Sequence, residues 1–113
     1  MQKEIKSIFK DFKVNGLSVP VEHITYTGTS KTYVTWTLLS EVPSLSGNDE
    51  DLYSVVPVDI DVYSDGNYLD IIKEIKKLMK NNEWLWVEDS QEMYERDTEL
   101  YHRTLTFEKE RMI

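Results

Sequence analysis

"VVPVDIDVYS", residues 55–64, places Val56, Val58, Ile60 and Val62 on one side of the chain and Pro57, Asp59, Asp61 and Tyr63 on the other. Side chains of an extended strand point alternately to its two faces, so this pattern describes a strand with one face on a core and the other in water. Upstream, "KTYVTWTLLS" (31–40) repeats the period, with Tyr33, Thr35 and Thr37 against Val34, Trp36 and Leu38, and predicts a second strand. Downstream, "DGN" (65–67) supplies a turn, with Asn67 as helix N-cap and Asp70 near the positive helix end. "YLDIIKEIKKLMK" (68–80) then reads as a helix that buries Ile71, Ile72, Ile75, Leu78 and Met79 and exposes Lys73, Lys76, Lys77 and Lys80. Asn81 and Asn82 are suited to its left-handed cap.

Towards the C-terminus, "EWLWV" (83–87) predicts a short strand and "EDSQEMYERD" (88–97) a polar connection. "TELYHRTLTFEKE" (98–110) predicts a long last strand, with Tyr101, Arg103, Leu105 and Phe107 on one face and Leu100, His102, Thr104 and Thr106 on the other. Towards the N-terminus, Ile5, Ile8, Phe9 and Phe12 form the stripe of an amphipathic helix over residues 2–13, with Lys3, Lys6, Lys10 and Lys13 opposite and Asn15-Gly16 as its stop. "LSVPVEHITYTG" (17–28) reads as extended, with His23 an ordinary polar residue in or beside that strand. The expected order is α-β-β-β-α-β-β. Its class is α+β, a largely antiparallel sheet of about five strands with two helices packed on one face. At 113 residues the chain is expected to be a single domain, 1–113.

Between the second and third strands lies "EVPSLSGNDEDLYS" (41–54), long, polar and expected to be mobile. It belongs to the one segment that carries the net charge. From Thr32 to Ile72 there are eight acids and no lysine or arginine, while the rest of the chain balances 13 acids against 13 bases, giving −8 in all. Such a segment does not grip phosphates, because nucleic-acid affinity comes chiefly from Lys and Arg. For the same reason Trp36, Trp84 and Trp86 read as core and interface packing residues rather than base-stacking platforms.

The remaining chemistry is sparse. There is no cysteine, hence no disulfide, thiolate nucleophile or cysteine-held metal. "MQKEIKSIFKDFK" (1–13) lacks the apolar core of an export signal, and no apolar run approaches the roughly 20 residues of a membrane span, so neither export nor a membrane partner is expected. Asp59 and Asp61 point the same way about 7 Å apart, a spacing able to stage metal binding or acid–base work, but no third ligand accompanies them. His102 has no nucleophile motif to serve. No catalytic residue, cofactor or metal site is expected, and no enzymatic activity.

The amphipathic first helix, "VPV" (19–21) followed by "TYVTW" (32–36), the acidic strand "VPVDIDVYS" (56–64), the helix after "DGNY" (65–68) and "YERDTELYHRTLTF" (94–107) together resemble the tail terminator and tail-completion (tail-to-head joining) proteins of long-tailed bacteriophages and prophages. The resemblance spans nearly the whole chain, and Tyr94 to Phe107 is its most specific part. It implies a structural protein of the virion tail, assembled in the bacterial cytoplasm from subunits that can be monomeric beforehand. That protein forms a ring, usually a hexamer, at the head-proximal end of the tail tube, where it ends tail growth and joins the tail to the head connector. Its implied partners are copies of itself, the tail-tube protein, the head connector or head-completion protein, and DNA that passes through without specific binding. An acidic lumen would let that DNA slide. The resemblance also places the 41–54 connection in subunit or tube contacts, which marks Glu41, Asp49, Glu50 and Asp51 as an assembly or lumen loop. It leaves open whether the chain is the terminator or its neighbour in the neck. The alternative from another class is a small acidic phage inhibitor that mimics DNA. Such a mimic needs carboxylates spaced like phosphates, about 7 Å apart, whereas these acids are divided between a connection, a strand and a helix start.

Overall fold

The computed structural model describes residues 1–43 and 53–112. In chain order the elements are helix α1 (Gln2–Ile8), strands β1 (Lys13–Val14), β2 (Leu17–Ser18), β3 (Val21–His23), β4 (Thr32–Leu38), β5 (Val42–Pro43) and β6 (Tyr53–Ser64), helix α2 (Leu69–Asn81), and strands β7 (Leu85–Asp89), β8 (Met93–Glu95) and β9 (Leu100–Met112). The main sheet follows the five-strand path β3-β4-β6-β9-β7, with β5 added to β6 and β8 to β9. Every pairing in it is antiparallel except that of β3 with β4, so the class is the expected α+β.

The two long alternating stretches become its centre. β6 and β9 pair from Tyr53↔Met112 to Ser64↔Tyr101, which sets Val58 beside Phe107, Ile60 beside Leu105, and Val62 beside Arg103. On β4, Val34 and Trp36 continue the rows of Val62 and Ile60. Seven apolar residues of β4, β6 and β9 on this face, Val34, Trp36, Val58, Ile60, Val62, Leu105 and Phe107, are at most 2% exposed. They share one core with Ile5 of α1, with Phe9 directly after that helix, and with Ile71, Ile72, Ile75 and Met79 of α2, so both helices lie on that face. Burying each such side chain contributes roughly 1.5–3 kcal/mol, which makes this layer the main source of stability.

The first helix is shorter than its apolar stripe. It ends at Ile8, and Asp11 adopts a left-handed backbone at φ 54, yet Phe12 still reaches the core and meets the Phe9 ring edge-on at 5.4 Å. A stripe at helical spacing can thus be completed by a turn. Asn15-Gly16 is not the helix stop but the turn of a hairpin, pairing Val14 with Leu17. Both residues have positive φ, 53 and 81, as a two-residue turn between twisted strands requires and as Asn-Gly tolerates best.

Four further boundaries differ from expectation. The connection after β4 is shorter, since Val42 and Pro43 pair with Val55 and Ser54. The polar stretch 88–97 contains β8, whose Met93 pairs with His102. At the end of α2 the left-handed residue is Glu83, φ 67, rather than Asn81 or Asn82. Glu83 N–H donates to Lys80 O at 3.1 Å and Trp84 N–H to Met79 O at 2.9 Å, a Schellman closure that seats Trp84 in the core beside Met79. Asn67 acts one position earlier than a cap, with Oδ1 accepting from Leu69 N–H at 3.0 Å while Tyr68 holds the cap position.

Candidate functional site: the open face of the sheet

The sheet's second face carries neither helix. Its rows are set by register: Tyr33, Tyr63 and His102; then Thr35, Asp61 and Thr104; then Thr37, Asp59 and Thr106. Because β-strand neighbours lie close, equivalent rings in one row are brought face to face. Tyr63 stacks on His102 at 4.1 Å, Tyr33 on Tyr63 at 4.7 Å, and Tyr26, from the loop after β3, on Tyr33 at 4.3 Å. The planes of these pairs are 16° to 22° apart, so four rings form one continuous strip across the sheet. Ser30 N–H donates to the Tyr26 hydroxyl at 2.9 Å and fixes its end. Gly28 lies directly against the Tyr26 ring, where any side chain would collide with it.

Beneath the strip the carboxylates are occupied. Asp61 Oδ1 accepts from Thr104 Oγ1 at 2.6 Å and faces His102 Nε2 at 2.8 Å, and Asp59 Oδ1 accepts from Thr106 Oγ1 at 2.7 Å. The other nitrogen of His102 lies 3.6 Å from Glu95 Oε1. Asp59 and Asp61 therefore do point the same way, but each is met by hydroxyls of β9 rather than by a third acid. Among the described residues no three His, Asp or Glu side chains are grouped to hold a metal ion. Burial, and after it the nearby Asp61, Glu95 and Tyr33, pushes the Tyr63 hydroxyl up to about 12. Tyr33 is raised too, by burial first and then by Glu95 and Tyr26. Both phenols stay protonated at neutral pH, and the strip offers hydroxyls and π-faces next to acids. Nucleic-acid bases stack on aromatics where a basic groove holds their backbone, and here the groups beside the rings would repel phosphates.

Of the residues expected to form an assembly loop, Glu41 is described, and Asp49, Glu50 and Asp51 lie outside the described residues, as does the central part of the segment expected to be mobile. Glu41 precedes β5. Its carboxylate accepts from Arg111 Nη2 at 2.8 Å and Nε at 3.2 Å, and from Ser54 Oγ. Those bonds, Ser54 first, hold Glu41 below the usual carboxylate range. It is a paired charge that ties the start of β5 to the end of β9. Elsewhere, His23 stacks on Trp36 at 4.1 Å at the edge of the core. Trp36 and Trp84 are buried as expected, whereas Trp86 is half exposed.

The aromatic strip went unrecognised in the sequence. Tyr33, Tyr63 and His102 are each visible as outward positions of their own strand, but only the pairing register sets them in one row. No helix among the described residues is long and apolar enough to cross a membrane. No protein-family model matches the chain, and no curated protein is significantly similar to it.

Proposed function

We propose that the chain is a structural subunit of a phage or prophage tail, which assembles as a ring at the head-proximal end of the tail tube, ends tail growth and joins the tail to the head connector. The observation that carries this reading is the two-sidedness of the subunit: both helices pack on one sheet face, while the other presents an aromatic strip and, from the charged segment, Asp59 and Asp61. In a ring, a face of that character can look onto neighbours or onto passing DNA without binding it. The same face disfavours a DNA mimic, whose carboxylates must be free, because Asp59 and Asp61 are held by Thr106, Thr104 and His102. Tail-tube protein and head connector are the partners in this proposal, and Asp49, Glu50 and Asp51 act in assembly or along the DNA path.

The test is genetic. Deleting the gene from its phage should leave separate heads and tails of uncontrolled length in electron micrographs, and changing Asp49, Glu50 and Asp51 together to Asn or Gln should lower the infectious titre without unfolding the subunit. Normal particles from the deletion would end the proposal; normal titres from the neutralised chain would remove those three acids from it.

A further inference from the structure

β7 closes the sheet path on one side and β3 on the other, and among the described residues no strand lies outside either. The β7 edge is unusually apolar: Leu85, Trp86 and Val87 are 64, 50 and 44% exposed. An edge strand with unpaired backbone groups and exposed apolar side chains is a template for another strand, which proteins ordinarily blunt with charge or proline. Trp86 is also held in place, with Nε1 donating to Asp89 at 2.8 Å and the Lys76 ammonium 4.5 Å from the ring centroid. Val87 is the extra residue where the pairing with β9 shifts register.

The opposite edge is its counterpart. Ile24, directly after β3, is 57% exposed and has φ 68, with Thr25 N–H turned back onto His23 O at 2.8 Å. A β-branched residue in such a γ-turn is strained, and the strain holds an apolar side chain outward at the sheet edge. Charge is complementary as well. Residues 83–99, which include β7 and β8, hold seven acids against Arg96 alone, whereas the cleft beside Val21 and His23 is lined by two lysines, Lys6 and Lys10, against the single acid Glu22.

We propose that the β7 edge of one copy pairs with the β3 edge of a second copy, so that the sheet continues from molecule to molecule. Two different surfaces meet, which makes the contact heterologous and able to close into a ring. The proposal deepens the ring reading above and rests on it for closure, while the contact itself stands on the two edges.

The test uses Ile24→Lys and Val87→Lys variants of the full chain, each checked for an unchanged circular dichroism spectrum. By light scattering, each variant alone should be monomeric at concentrations where the unmodified chain self-associates, and an equal mixture should give dimers and nothing larger, because one intact edge of each kind remains. The chain has no cysteine, so a double variant Ile24→Cys, Val87→Cys provides a second measurement should the unmodified chain be monomeric when dilute. Oxidation should yield a ladder of covalent oligomers well beyond that of a control pairing Ile24→Cys with Leu69→Cys. Folded lysine variants that assemble like the unmodified chain, or a ladder no stronger than the control, would overturn the proposal. A strong ladder that closes into no ring in electron micrographs keeps the edge contact and removes the ring; rings that persist in both lysine variants do the reverse.

Discussion

His102 Nε2 lies 2.8 Å from Asp61 Oδ1, so the histidine of the last strand is bound across the sheet to the middle of β6. Its ring also stacks on Tyr63, the strand neighbour directly opposite. Ionised Asp61 only accepts hydrogen bonds, which makes Nε2 the donor. The pair joins two strands whose other faces are core, and its role is architectural: it holds the strip of rings in place.

Replacing His102 by Gln should leave assembly largely intact and cost about 1 to 2 kcal/mol, through the lost stack and a weakened hydrogen bond. A double-mutant cycle between Asp61→Ala and His102→Ala, measured by urea unfolding, should give a coupling of at least about 0.5 kcal/mol. A coupling of zero would detach the two residues energetically, and loss of assembly by a folded His102→Gln chain would give the histidine a role beyond architecture.

Of the three tyrosines in the strip, Tyr63 should be the last to ionise. Its hydroxyl is raised from 10.0 to about 12, so the fold favours its neutral form. The stability it contributes is complete below pH 10 and is lost as pH rises through about 12. Absorbance at the phenolate band should show a late-titrating component that disappears in Tyr63→Phe, and the alkaline fall in stability should become shallower in that variant. An unchanged titration curve would contradict the burial of this hydroxyl.

Glu83 occupies the left-handed position of the helix closure at φ 67. Glycine adopts that conformation without the Cβ conflict, so Glu83→Gly should stabilise the chain by about 1 kcal/mol. Thermal unfolding reads this directly, and a lower midpoint would mean that the glutamate side chain contributes more than its backbone strain costs.

Leu105 is fully buried between Ile60 on β6 and the core beneath. Leu105→Ala should cost about 2 to 5 kcal/mol. Leu85→Ala, on the exposed edge, should change monomer stability by no more than about half a kcal/mol. Similar losses at the two positions would mean that the faces of β9 and β7 are wrongly assigned.

What the sequence determined by itself is what depends on local periodicity. Val56, Val58, Ile60 and Val62 had to share one face of a strand, Ile71, Ile75 and Met79 one side of a helix, and Leu105 and Phe107 the inner face of the last strand, because the pleat and the helical turn are properties of the backbone alone. Two helices on one side of a largely antiparallel sheet follow from those faces, since each apolar face must be covered. The tertiary structure decided what depends on partners. Helix α1 stops at Ile8 although its stripe runs to Phe12, and Glu83, not an asparagine, turns left-handed, because burying Phe12 and Trp84 outweighs local preference. β3 runs parallel to β4, and β5 and β8 form only because β6 and β9 are long enough to receive them. The strip from Tyr26 to His102 exists through register: a slip of one residue between β6 and β9 would turn Tyr63 away from His102, and the burial of Val58, Ile60, Leu105 and Phe107 forbids that slip.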